Sequence, residues 1–158
     1  MIRQPAPDGT PVPGDQQPAG VQQVGIAVVA HQNHLLVGLR RADQTLAGFS
    51  EFPGGKCRSG EPVRDCVARE CLEETGLTIE PVERLDRIEF SYPHGRVSLS
   101  FWLCRLFPRD SRPPSGLPTP HSGFHWHPVT DLANLNFPAA NAPVLTELAA
   151  RFKTKSGD

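Results

Sequence analysis

Three glutamates, Glu70, Glu73 and Glu74, fall within five residues, and a fourth, Glu61, stands upstream of them. At about 3.6 residues per turn, the three share an arc of roughly 100° on a helix. Glu70 and Glu74 are then an i,i+4 pair of like charges, which costs roughly a few tenths of a kcal/mol in water. Both also stand in the last turns, where the helix dipole disfavours anions. A solvated acidic face is one reading, since surface helices carry such runs. A bound divalent cation is the other, because it reverses the sign of both penalties. Mg²⁺ takes oxygen ligands, keeps several waters, and binds one or two carboxylates together with substrate phosphates. Gly54 and Gly55 just upstream allow close backbone approach, so a glycine carbonyl is a further ligand candidate.

The carboxylates need a helix to hold them, and Pro62 to Thr75 supplies it. Proline suits a first helical position and Gly76 suits the position that ends a helix. Ala68, Cys71 and Leu72 point away from the glutamates and are expected to pack on a sheet. Strands are expected at Gln23 to Ala30 and Leu35 to Leu39, joined as a hairpin through the polar turn His31-Gln32-Asn33-His34. Arg40 to Asp43 begins a loop. Leu85 to Tyr92 and Arg96 to Phe107 are two further strands, meeting at Pro93-His94-Gly95. In the second, Val97, Leu99, Phe101 and Leu103 alternate with Ser98, Ser100, Trp102 and Cys104, the pattern of a half-buried strand. Gly123 to His127 is a short strand, and Asn141 to Phe152 a second helix with Val144, Leu145, Leu148 and Phe152 on one face. The fold class expected is α/β, a mixed sheet between helices.

At 158 residues the chain suits one domain. Residues 1–22, rich in Pro, Gly and Gln, are expected to be a disordered tail, 23–153 the domain, and 154–158 a C-terminal tail. The Pro/Ser-rich stretch 107–122 is long for a loop in a compact domain. The net charge of −1 and the mixed charges disfavour a nucleic-acid partner. No run is apolar enough to span a membrane, and without a secretory signal a cytoplasmic location is expected. Nothing singles out a protein partner. Cys57, Cys66, Cys71 and Cys104 form no CxxC pair and are expected to be reduced and structural.

From Gly55 the chain runs Gly, five residues, Glu61, seven residues, Arg69-Glu70-Cys71-Leu72-Glu73-Glu74-Thr75-Gly76-Leu77. This resembles the Nudix box, GX5EX7REUXEEXGU with U aliphatic. All seven fixed identities are present; Cys71 departs at an aliphatic position, mildly, since buried cysteine behaves as a small hydrophobe. The resemblance implies a Nudix α/β/α sandwich and Mg²⁺-dependent hydrolysis, with Mn²⁺ as a substitute, of a nucleoside diphosphate linked to another moiety. It implies metal binding by Glu70, Glu73 and Glu74 with the Gly54 carbonyl. Glu70 would orient or deprotonate the attacking water. Arg69 would hold the glutamates, and Glu61 and Gly76 would shape the architecture.

EFPGGK at Glu51 to Lys56 and FPAANAPVL at Phe137 to Leu145 are similar to stretches of MutT-type Nudix enzymes, which hydrolyse 8-oxo-dGTP to the monophosphate and pyrophosphate. That likeness implies a small-molecule nucleotide substrate bound by Arg41 (or Arg40), Phe52, Lys56 and Asn141. Each has a second reading: Asn141 as a helix cap, Phe52 as core, the arginines and Lys56 as solvated charges. Two departures stand out. PTPHSGFHWH has no carboxylate where MutT-type enzymes often carry a further metal-binding glutamate, leaving His121 as a weak substitute. The arginine of their strand-connecting turn falls on Gly95, beside Arg96. His121, His125 and His127 are also weighed as a transition-metal group. Rival functions are a Nudix hydrolase of a cytidine nucleotide, ADP-ribose or a dinucleotide, and a module that binds a nucleotide without cleaving it.

Overall fold

The computed structural model describes residues 20–93, 95–107, 116–121 and 123–156. Seven strands and two helices follow one another as β1 (Val21–His31), β2 (His34–Leu39), β3 (Ser50–Glu51), β4 (Gly54–Lys56), α1 (Val63–Thr75), β5 (Ile79–Tyr92), β6 (Gly95–Leu106), β7 (Phe124–Pro128) and α2 (Ala142–Ser156). The sheet is mixed. Its main order is β3-β2-β1-β6-β5, with β4 paired to β1 and β7 to β2. The β1–β6 pair is parallel, and β5–β6 is a long antiparallel hairpin with bulges beside Pro81 and Arg84. A bulge is where a strand tolerates a proline.

The β1–β2 hairpin forms as expected. Gln32 and Asn33 both take positive φ, the two-residue turn whose twist matches the strands. Two layers of core cover the sheet. Ala27, Val29, Trp102, Cys104 and Ile79 pack toward α1 with Val67 and Cys71, while Val28, Leu35, Phe101 and Phe52 pack toward α2 with Val144 and Leu148. The alternation in β6 therefore separates two buried faces. Ser98 and Ser100 are buried with Trp102 and Cys104, whereas Val97, Leu99 and Leu103 on the face expected to be the inner one are only partly buried. On α1 the buried stripe is Cys66, Val67, Cys71 and Thr75. Leu72 departs from expectation and stands half exposed, because the helix rotates it past the stripe set by Val67 and Cys71.

Several boundaries move. Of the expected tail 1–22, residues 1–19 lie outside the described residues, whereas Val21 and Gln22 belong to β1, paired with Arg96 and Val97. At the other end α2 continues to Ser156, through residues expected to be tail, and 157–158 lie outside the described residues. Most of the loop expected at 107–122 also lies outside them. Among the described residues no helix is long and apolar enough to cross a membrane.

Candidate active site

The segment Ser50 to Lys56 threads between β1 and β2. Ser50 and Glu51 pair with β2, the Ala27 N–H donates to the Pro53 carbonyl at 2.8 Å, and Gly54 to Lys56 pair with β1. Helix α1 then lies across β4. It starts after Pro62, which serves as the extended cap rather than the first helical residue, and stops at Gly76 in the left-handed conformation. A Cβ on Gly55 would overlap the Glu70 carboxylate, so glycine here lets that side chain lie against β4. The Gly54 N–H donates to Glu74 Oε1 at 3.2 Å.

Arg69 is the hub of this arrangement. Its Nε and Nη2 donate to the two oxygens of Glu61 at 2.7 and 2.9 Å. Nη1 reaches Glu70 at 3.0 Å and Glu73 at 3.2 Å, and Nη2 donates to the Lys56 carbonyl at 3.2 Å. Glu61 also accepts the Arg58 N–H at 2.9 Å. Arg69 thus joins the loop to the helix, and it holds the Glu61 carboxyl below the usual carboxylate range. Burial pushes the Glu74 carboxyl up to about 7. The carboxylates of Glu70, Glu51 and Glu73 push the same way, against the Gly54 N–H.

That surplus of negative charge is the test of whether the residues suit a metal ion. The donors are hard anionic oxygens, the type that Mg²⁺ prefers, and a cation would relieve the repulsion that Glu74 feels from three neighbours. The donor set fits in its chemistry. Its oxygens are not gathered on one point: no three potential ligand side chains form a metal-sized group among the described residues. Glu70 and Glu73 instead turn to Arg69, and Glu74 to Gly54.

Beside the glutamate helix opens a cleft of about 620 Å³. Gly54, Gly55, Lys56, Phe52, Asn141 and Tyr92 are among its lining residues. Phe52, Lys56 and Asn141 therefore meet there. Phe52 is only 5% exposed and stacks on Phe137 at 4.7 Å between centroids, so it supports the wall from the core. Arg41 does not join them. Its side chain is 75% exposed and pairs with Asp43 at 3.3 Å. Arg40 lines the cleft instead, pairing with Glu51 at 3.1 Å. The backbone explains the exchange: the Arg40 N–H bonds the Phe49 carbonyl, turning its side chain toward β3, and Arg41 follows into the turn.

Glu51, at the start of EFPGGK, joins the glutamates of α1 at the cleft. Burial raises its carboxyl, with Arg40 opposing, and it acts on Glu74. Tyr92 and Phe90 are not legible from the sequence, because their strand joins the cleft only through the sheet order. Arg96 lines a neighbouring dent with Lys56 and Gly20, outside the main cleft. His121 packs over Gly76 at the end of α1, its N–H on the Thr75 carbonyl at 2.9 Å. It shares a small surface cleft with His125 and Trp126, and the histidines complete no metal-sized group among the described residues.

The NUDIX domain profile matches residues 24–147. An 8-oxo-dGTP diphosphatase of Escherichia coli strain K12 is 30% identical over 127 residues, covering 80% of this chain and 95% of that protein. The corresponding Haemophilus influenzae protein is 29% identical over 132 residues, 80% and 90% of the two chains. Among solved structures, the MutT protein of methicillin-resistant Staphylococcus aureus 252 matches with a TM-score of 0.64 and 27% identity, over 83% of this chain and 97% of that one. A MutT structure from a study of Aliivibrio salmonicida and Vibrio cholerae gives 0.58 and 27%, over 82% and 96%. Nudix enzymes work with divalent metal ions, in keeping with the oxygen donors on α1. A profile spanning the sheet, the carboxylate helix and the start of α2 admits one conclusion: the chain belongs to the Nudix hydrolases, which act on phosphorus-containing acid anhydrides.

Proposed function

We propose that the protein is a Mg²⁺-dependent nucleoside triphosphate pyrophosphohydrolase of oxidised purine nucleotides such as 8-oxo-dGTP, releasing the monophosphate and pyrophosphate. One observation carries the reading. A cleft of about 620 Å³ is lined by Asn141 and by Gly54 to Lys56, and the Gly54 N–H bonds Glu74 of the carboxylate helix at 3.2 Å. A nucleoside seated there presents its phosphates to Glu70, Glu73 and Glu74. The activity of the E. coli relative supports the same substrate class.

Residue by residue, Asn141 hydrogen-bonds the base edge, and Phe52 backs the wall against which the base lies. Arg40 and Lys56 take the sugar–phosphate side. Glu70, Glu73, Glu74 and the Gly54 carbonyl would hold Mg²⁺, with Mn²⁺ as a substitute. When bound, the cation neutralises charge on the phosphate oxygens during attack at phosphorus. Glu70, fixed between Arg69 and Gly55, orients the attacking water and accepts its proton. Arg69 sets the glutamates without touching substrate. The catalytic unit is the single domain from β1 through α2, and it works on the cytoplasmic nucleotide pool.

The test is a panel of canonical and oxidised nucleotides incubated with Mg²⁺, with products identified. Monophosphate plus pyrophosphate, fastest from oxidised purines, is the expected outcome. Turnover confined to ADP-ribose or dinucleotides sinks the reading, and tight binding without turnover replaces the enzyme with a binding module.

A further inference from the structure

The loop from Arg40 to Phe49 joins β2 to β3 and holds one leucine in a conformation that suits glycine. Leu46 has a φ of 59°, in the left-handed region where a Cβ crowds the following carbonyl. Gly48, two positions on, takes a φ of 85° without that penalty. Leu46 gains no burial in exchange. It is 48% exposed, so the loop keeps both a disfavoured backbone and an apolar side chain in water.

Hydrogen bonds fix it there. The Arg40 N–H donates to the Phe49 carbonyl at 2.9 Å, and the Gly48 N–H donates to the Arg40 carbonyl at 3.0 Å, closing the neck of the loop. The Phe49 N–H donates to the Leu46 carbonyl at 3.1 Å. Arg40 Nε donates to the Thr45 carbonyl, while Nη1 reaches Glu51 at 3.1 Å. The carbonyls of both peptides flanking Leu46 are thus bound, one of them by the arginine that lines the cleft. Leu46 lines the same cleft, with Arg40, Phe52 and Asn141. Of the large apolar side chains that the described residues leave open to solvent, Leu46 and Tyr92 stand at this cleft. Left-handed backbone at a residue other than glycine persists where surrounding bonds over-determine it, and it gathers at ligand clamps.

We propose that Leu46 is a substrate-contact residue whose side chain covers the nucleoside in the cleft, and that the left-handed backbone is kept because it aims the side chain there. The assignment rests on the function proposed above and adds to it the group that covers the apolar faces. A purine and a deoxyribose have apolar faces and polar edges. Asn141 and Arg40 suit the edges, whereas Leu46 meets a face and removes water from it. Phosphate oxygens gain nothing from an alkyl side chain. The contact therefore acts on the nucleoside half of the substrate and leaves the pyrophosphate half alone.

Leu46→Ala and Leu46→Gly in the full-length protein test it, with inhibition by 8-oxo-dGMP and by pyrophosphate measured beside the steady-state kinetics. Covering about half a leucine side chain is worth about tenfold in affinity. Both variants should raise KM and the inhibition constant of the monophosphate by about that factor. Their kcat should stay within about twofold, with inhibition by pyrophosphate unchanged. Leu46→Gly should melt at or above the parental Tm, because glycine relieves the left-handed conformation. Parental KM and monophosphate inhibition in Leu46→Ala overturn the contact. Equal weakening of both products, or a lowered Tm in both variants, makes Leu46 a prop of the loop and overturns it too. A parent that neither binds nor cleaves any nucleotide refutes the functional reading and the contact together, whereas an active parent with unaltered variants refutes the contact alone.

Discussion

Arg69 grips Glu61 through two parallel bonds, Nε to Oε2 at 2.7 Å and Nη2 to Oε1 at 2.9 Å, with the side chains 19% and 13% exposed. Such a fork largely out of water is stronger than a surface ion pair. It is also the means by which the loop sets the orientation of Glu70 and Glu73. Glu61→Gln should therefore lower stability by about 1–3 kcal/mol and lower kcat through the loosened Arg69. Arg69→Lys keeps the charge but not the fork, and should lose most of the same stability. Urea melts of both single variants and the double variant measure the coupling. Additive effects would show that the fork contributes nothing.

Arg40 and Arg41 are neighbours in sequence and separate in space. Arg40 lines the cleft and pairs with Glu51 at 3.1 Å, whereas Arg41 pairs with Asp43 in the exposed turn. Arg40→Ala should raise the KM for the nucleotide about tenfold, the size of one lost charge-assisted hydrogen bond. Arg41→Ala should leave KM within about twofold. The reverse order, read from steady-state kinetics on the two variants, would return the nucleotide contact to Arg41.

Glu74 makes the metal-free protein sensitive to pH. Its carboxyl titrates at about 7 in the fold, against an ordinary value of 4.5. The unfolded chain therefore ionises first, and between these values the native state holds the extra proton. The contribution is present in full below 4.5 and is lost as pH rises through about 7. Without metal, Tm should fall across that window by about 2–4 °C for each kcal/mol lost in a chain of this length. Mg²⁺ added above pH 7 should raise Tm again, by the equivalent of about 2.7 kcal/mol at 100 times its Kd. Glu74→Gln should abolish both responses. Melts that respond to neither pH nor Mg²⁺ would separate these carboxylates from any cation.

What the sequence made legible follows from how far each feature depends on its neighbours in space. Helix α1 was readable because its cap, its Gly76 stop and its glutamates are all local. The β1–β2 hairpin was readable for the same reason. Strands β3 and β4, which carry the cleft end of the site, were not. They are two and three residues long, contain Gly54 and Gly55, and exist only through pairing with β2 and β1. The exchange of Arg40 for Arg41 has the same origin, since the Phe49 carbonyl that orients Arg40 lies across a loop. Glu51 and Tyr92 needed the sheet order before they could be placed beside Glu74 and Asn141. The box thus placed the glutamates on α1, and tertiary pairing alone placed the residues that line the cleft beside them.

Gly55 lies under the Glu70 carboxylate, and this approach separates stability from activity. Gly55 sits in β4 opposite Gly25, and a Cβ on it would overlap the Glu70 carboxyl group. In Gly55→Ala the far end of the Glu70 side chain can swing aside, because it is flexible and, among the described residues, bonded to Arg69 alone. The backbone conformation needs no left-handed φ, so the strand itself survives the change. The expected result is a melting curve within about 1 kcal/mol of the parent and a kcat lower by about 10²-fold, as befits a misplaced reacting group. Gly25→Ala is the contrast. Its Cβ would meet Val67 at 2.9 Å and the Cys66 sulfur at 3.1 Å, both in the packed core. That variant should lose stability first, by about 1–3 kcal/mol of overpacking, and activity only as the helix shifts. Urea melts and kcat measured on both variants test the pair. Parental turnover in Gly55→Ala would mean that the position of Glu70 does not limit the reaction.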